Sequence, residues 1–232
     1  MASNPLGIWS RLQALVWGAA LVWLALFSAP AGGRFYVAAG ACASIATLAC
    51  VLRVPSTPAD AVTLLRALLL AMATCAPDWP GLDAFSTWIL FAVAAMLDLV
   101  DGAVARRFGA SDRGAVLDME ADQLSVLCLS CSVVFGGGAP HVLLLPLMRY
   151  AFVLAAWCAA LPANDPKPVD GDNHRGRLVC AVVVVVLLLA LLPGTPRWTA
   201  DMLTGSAVLL LTWSFAGDWA FLFARRGREA RS

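Results

Sequence analysis

The chain has 232 residues, 61% of them hydrophobic and 13% charged, with 16 basic against 15 acidic side chains, and its mean hydropathy is +0.80. This composition lies outside the range of ordinary soluble domains and inside that of polytopic membrane proteins. A formal net charge of +1 says little by itself, and the information lies in where the charges fall.

Eight apolar stretches follow one another: Leu12–Phe27, Tyr36–Leu52, Ala61–Ala76, Thr87–Ala105, Ala115–Phe135, Val142–Leu161, Leu178–Leu192 and Met202–Ala224. Each is close to the ~20 residues a helix needs to cross a bilayer. The pattern predicts an all-α polytopic membrane bundle of about eight transmembrane helices. The first stretch ends in Ala29-Pro30-Ala31, which also suits a signal-peptide cleavage site. Only one basic residue, Arg11, precedes it, which favours a retained helix. The stretch 178–192 is short and Val-rich, yet β-branched residues are no obstacle to a helix whose backbone has no other partner in lipid.

The connecting segments alternate in basic charge. Arg11, Arg53, Arg106, Arg107, Arg113, Lys167, Arg175, Arg177, Arg225, Arg226, Arg228 and Arg231 fall on one side, and only Arg34 and Arg197 on the other. The positive-inside rule then places both termini and the loop after the fourth stretch in the cytoplasm of an inner or plasma membrane. Seven cysteines lie within or at the ends of the apolar stretches. Cys128 and Cys131 form a C-x-x-C on an apolar helix, with no second pair or nearby histidine to complete a zinc set, and they read as small packing residues.

Against this background, residues 98 to 122 read DLVDGAVARRFGASDRGAVLDMEAD and hold Asp98, Asp101, Asp118 and Asp122. A carboxylate at the centre of a membrane helix costs roughly 2.5–3.5 kcal/mol, so four together need compensation of about 10 kcal/mol. Something positive has to sit among them. Asp98 and Asp101 are three apart near the end of the fourth stretch, and Asp118 and Asp122 four apart near the start of the fifth, so each pair shares a helical face. The short connection suggests that the two helices are antiparallel neighbours whose acidic faces meet. Converging carboxylates suit a hard divalent cation, and four of them suit a two-metal site for phosphoryl displacement. Gly102 allows a ligand to approach the backbone, Gly114 similarly opens the facing helix, and Arg106 is suited to phosphate oxygens.

The segment Asp98-x-x-Asp101-Gly102-x-x-Ala105-Arg106, then Gly114-x-x-x-Asp118-x-x-x-Asp122, resembles the signature of the CDP-alcohol phosphotransferase family at every fixed position. Upstream, Thr57-Pro58-Ala59-Asp60-Ala61-Val62-Thr63 looks like the Pro-Asp/Asn-x-x-Thr segment that opens the family's first core helix, with one residue inserted after Pro58. A Pro and an Asp there are also ordinary helix-capping residues. The resemblance divides the chain into an extension, 1–56, with two helices, and a six-helix core, 57–232. The extension reads as either a lipid-facing addition or a dimer element.

The resemblance implies transfer of a phospho-alcohol group from a CDP-alcohol to an acceptor hydroxyl, with release of CMP. It implies that Asp98, Asp101, Asp118 and Asp122 hold two Mg²⁺ or Mn²⁺ ions, with Asp122 also the general base. It implies nucleotide contacts from Asp60, Ala61, Val62, Thr63, Gly102, Arg106 and Ser111. Asp112 and Glu120 match no signature position and read as structural or peripheral. Two arginines lie within apolar stretches: Arg66, for which pairing or snorkelling is expected, and Arg149, either an ion-pair partner of a cluster aspartate or a functional group. With Arg149, the cytoplasmic Arg175 and Arg177 form a candidate anion pocket, favouring an acceptor that carries its own phosphate, such as glycerol 3-phosphate or an inositol phosphate. Asp218 is expected to meet the tail arginines Arg225 and Arg226. The partners expected are a CDP-alcohol lipid donor such as CDP-diacylglycerol, a small polar acceptor, membrane lipids and a second copy in a homodimer, with no nucleic acid. An unphosphorylated acceptor such as serine or inositol is the alternative within this chemistry. A cation channel or transporter is the competing class, although a transport path has its acidic groups nearer the midplane.

Overall fold

The computed structural model describes residues 5–27, 30, 32–108, 111–158 and 173–229; the side chains at 105, 106, 108, 173–175, 177 and 218–229 lie outside the described residues. Eight helices follow in order: α1 (Pro5–Leu26), α2 (Gly33–Leu52), α3 (Pro58–Cys75), α4 (Ala84–Phe108), α5 (Asp112–Phe135), α6 (Leu144–Cys158), α7 (Asn173–Ala190) and α8 (Arg197–Glu229). No strand occurs among the described residues. The eight predicted stretches thus correspond one to one with helices. Among the described residues, five segments are long and apolar enough to cross a membrane on their own: Pro5–Leu26, Gly33–Leu52, Pro58–Asp78, Ala84–Val104 and Pro140–Cys158. The acidic α5 does not qualify by composition, and the apolar part of α7, Leu178–Ala190, is shorter.

Helix α5 is the hub. Every residue from Leu124 to Val133 is buried, as befits a helix that is apolar all round and enclosed by neighbours. Around it stand α2, α3, α6 and α7, while α4 packs chiefly on α3, and α8 on α7. Cys128 and Cys131 are buried free thiols within this core. They fill space there, as their sequence context suggests.

The arrangement corrects one expectation in part. Helices α4 and α5 are not extensively packed on each other among the described residues, each packing instead against α3, but their acidic faces do meet, with oxygens of Asp98, Asp101 and Asp118 within 4.8 Å of one another. Apolar surface on α3 faces both, with Ala67, Leu70, Ala71 and Ala73 buried. Small alanines let the two helices approach it closely, as expected where helices associate within lipid.

The first two helices are joined to the rest. Helix α2 packs on α3 and α5, and α1 on α6. Trp17, Leu21, Ile45 and Leu48 belong to the same apolar cluster as Leu127 and Leu70. Polar contacts tie α1 to α2: Trp9 Nε1 donates to Thr47 Oγ1 at 3.0 Å, Trp17 Nε1 donates to Ser44 Oγ at 3.0 Å, and Ser44 Oγ donates to Gln13 Oε1 at 2.7 Å. Arg11 lies over the Trp157 ring of α6, 5.1 Å from its centroid.

At the bundle end opposite the aspartates, Arg34 pairs with Asp78 at 2.9 Å and donates to the Phe135 carbonyl at 3.2 Å. The turn after α5 needs Gly137, whose φ of +86° is left-handed.

Candidate active site

The site begins where α3 begins. Pro58 occupies the first turn, where its missing N–H costs nothing. Thr57 and Asp60 form a reciprocal capping box: Thr57 Oγ1 accepts from the Asp60 amide at 3.2 Å, and Asp60 Oδ2 accepts from the Thr57 amide at 3.0 Å. The same oxygen also accepts from the Ser56 amide at 2.8 Å and the Ser56 hydroxyl at 2.9 Å. Asp60 is therefore a buried structural cap in addition to any contact with a ligand.

Asp60, Thr63 and Arg66 follow at intervals of three, so they share one face of α3, and all three are buried. Each holds a different part of the site. Asp60 Oδ1 lies against α5 at Gly114, where a β-carbon would come within 2.5 Å of it and within 3.0 Å of Ser111 Oγ. Ser111 is the N-cap of α5 and accepts from the Gly114 amide at 2.9 Å. Thr63 Oγ1 lies 3.1 Å from both Asp101 Oδ2 and the Ala59 carbonyl, linking α3 to α4.

Arg66 reaches all four signature carboxylates. Its Nη1 pairs with Asp98 Oδ1 and lies 3.7 Å from Asp101 Oδ2. Its Nη2 donates to Asp118 Oδ1 at 3.2 Å and to Asp122 Oδ1 at 3.0 Å. The arginine side chain is 1% exposed, whereas those of Asp98, Asp118 and Asp122 are 45%, 47% and 38% exposed. The cluster is thus a bowl with a cationic floor and an open acidic rim. The positive group required by four carboxylates in an apolar chain is, in part, built into the protein.

The rim also fits a divalent cation. One ligand oxygen from each of Asp98, Asp101 and Asp118 lies within 4.8 Å of the others. All are hard oxygen donors, the type favoured by Mg²⁺ and Mn²⁺. Asp122 stands beside them on the same guanidinium.

Glu120 occupies the reverse face of α5, two residues from both Asp118 and Asp122. Its Oε1 accepts from Arg149 Nη2 at 3.2 Å, and the same nitrogen lies 3.6 Å from Met119 Sδ. Arg149 is therefore not brought to the signature aspartates. Its partner is the one acidic residue of this stretch that turns toward α6. Among the other expected site residues, Ala61 is exposed, and Val62, Gly102 and Ser111 are half-buried. The side chains of Arg106, Arg175, Arg177 and Asp218 lie outside the described residues. The expected Asp218 contact with Arg225 and Arg226 lies there too.

A helical membrane bundle with hard oxygen donors converging in this way suits a divalent cation and, through it, a phosphate ester. The family model described as CDP-alcohol phosphatidyltransferase matches residues 56–219, well over half of the sequence. The chain belongs to the CDP-alcohol phosphatidyltransferase family. Its members transfer a phosphatidyl group from a CDP-alcohol to an alcohol acceptor in phospholipid synthesis, with a divalent metal. No curated protein and no solved structure gives a match.

Proposed function

We propose that this chain transfers a phosphatidyl group from CDP-diacylglycerol to the hydroxyl of a small acceptor that carries its own phosphate, such as glycerol 3-phosphate or an inositol phosphate, and releases CMP. The observation that carries this reading is the convergence of Asp98, Asp101, Asp118 and Asp122 on one guanidinium, with three of them at ligand spacing. Asp98, Asp101, Asp118 and Asp122 would hold two Mg²⁺ or Mn²⁺ ions. Bound divalent cations supply charge neutralisation on the donor's diphosphate.

The remaining work falls to the protein's own groups. Asp122, on the open rim, is placed to take the proton from the acceptor hydroxyl as that oxygen bonds to the lipid-side phosphorus, and the phosphoanhydride bond to CMP breaks. Thr63 positions Asp101, and Asp60 and Ser111 cap the starts of α3 and α5; Gly102 and Arg106 of α4 are assigned to the nucleotide, together with Asp60, Ala61, Val62, Thr63 and Ser111. Arg175 and Arg177 are the candidates for the acceptor's phosphate. Arg149 joins them only by leaving Glu120. The site faces the cytoplasm, with both termini on that side, and the enzyme works as a homodimer.

The direct test is a panel of acceptors offered to the purified chain with labelled CDP-diacylglycerol and Mg²⁺, reading CMP and lipid product together. Turnover with a phosphorylated acceptor is expected. Turnover confined to serine or inositol would remove the phosphate preference, and ion flux without CMP release would remove the enzymatic reading.

A further inference from the structure

The bowl contains one feature that the metal and substrate roles do not use. Arg66 is fully buried, its Nε has no partner among the described residues, and its two Nη atoms engage one oxygen from each of the four signature aspartates. An arginine stays charged in any protein environment. At the site this side chain of α3 reaches carboxylates on both α4 and α5.

We propose that Arg66 is the resident counter-cation of the aspartate bowl, a positioning residue that sets the balance between divalent-cation and diphosphate binding, weakening the first and strengthening the second. The inference rests on the metal reading of the aspartates given above. Four carboxylates and one guanidinium give the bowl a formal charge of −3, where the carboxylates alone would give −4. Two divalent cations bring +4, so the loaded bowl has a charge of +1 with Arg66 and is neutral without it. A cation is repelled by the guanidinium below the rim, and an anionic diphosphate is attracted by the surplus charge. The guanidinium itself is buried and shielded from bulk ions, so both effects reach the open rim above it. At the same time the guanidinium fork holds the four carboxylates together before any ligand arrives.

A structural role alone would weaken both ligands when Arg66 is changed, whereas the counter-cation moves them in opposite directions. The experiment uses the full chain purified in detergent, with Mn²⁺ titrated in the absence of nucleotide and CDP titrated at saturating Mn²⁺. Arg66→Gln is expected to bind Mn²⁺ at least about 10-fold more tightly and CDP at least about 10-fold more weakly than wild type. Arg66→Lys keeps the charge and is expected to stay within about 3-fold of wild type for both. Should Arg66→Gln fail to fold, Arg66→Lys decides alone: retention of both affinities supports the charge role, and loss of both overturns it. Mn²⁺ uptake that depends on Asp98 and Asp118 but is unchanged or weaker in Arg66→Gln overturns this inference and leaves the metal reading standing. Uptake indifferent to Asp98→Asn and Asp118→Asn overturns the metal reading, and this inference with it.

Discussion

Asp60 and Gly114 meet where α3 and α5 begin, with the aspartate Oδ1 occupying space that a β-carbon on residue 114 would enter at 2.5 Å. A glycine at this point of the signature is thus required by a neighbouring helix cap, whatever further room it gives a ligand. Asp60 cannot easily withdraw, because its other oxygen is held by Ser56 and Thr57.

Gly114→Ala is therefore expected to force the two helix starts apart. Overpacking of this kind costs about 1–3 kcal/mol. A lower melting temperature in detergent, together with a large loss of CMP release, is the expected outcome. A variant with wild-type melting and turnover would show that the contact relaxes freely.

Asp122→Asn retains an oxygen to accept from Arg66 and removes the proposed proton acceptor. Transfer is expected to fall by about 10²-fold or more. CDP should still bind, no more weakly than in wild type, by calorimetry, and normal turnover would refute the assignment of the base.

Asp98→Ala removes a proposed metal ligand and a partner of Arg66 together. Loss of metal dependence and of nucleotide affinity in the same titration is the expected outcome, whereas nucleotide affinity equal to wild type would count against Asp98 as a ligand.

Glu120 and Arg149 are expected to matter for stability. Their side chains are 11% and 16% exposed, so Glu120→Ala leaves a mostly buried guanidinium without its carboxylate. Breaking a fully buried pair costs roughly 3–5 kcal/mol, and the partial exposure here lowers that to about 2 kcal/mol. The double variant Glu120→Ala/Arg149→Met should recover part of the loss in thermal melts. Recovery to wild type would show that the pair contributes little beyond its volume.

Removal of residues 1–52 exposes the surfaces of α3, α5 and α6 that α1 and α2 cover. The remaining chain is expected to aggregate on extraction rather than run as a single species on size exclusion. A monodisperse, active core of residues 53–232 would show that the first two helices are dispensable.

Much of this architecture was legible in the chain because lipid imposes a simple rule, a long apolar run for each helix, and all eight runs became helices. The signature aspartates were legible because their spacings of three and four are those of a single helical face. The packing of both α4 and α5 against α3 was not, since sequential proximity favours pairing α4 with α5 and apolar pattern alone does not say which helices touch. Arg66 stood out as a charge inside an apolar stretch, but its partners lie 32 or more residues away. The signal available was the Asp60, Thr63, Arg66 spacing, which puts a capping residue, a hydroxyl and a cation on one stripe. Glu120 looked incidental because it breaks the signature's rhythm, yet that same offset turns it to the opposite face, toward Arg149.

The placement of one guanidinium against four carboxylates also has a mechanical consequence. An α-helix advances about 1.5 Å per residue, so a slip of α3 by a single residue along its axis would disturb the contacts to α4 and α5 together. A similar slip of α4 or α5 would disturb only the two contacts that helix makes. Arg66 therefore acts as a register pin for three helices in a setting where apolar side chains against apolar lipid give little resistance to sliding.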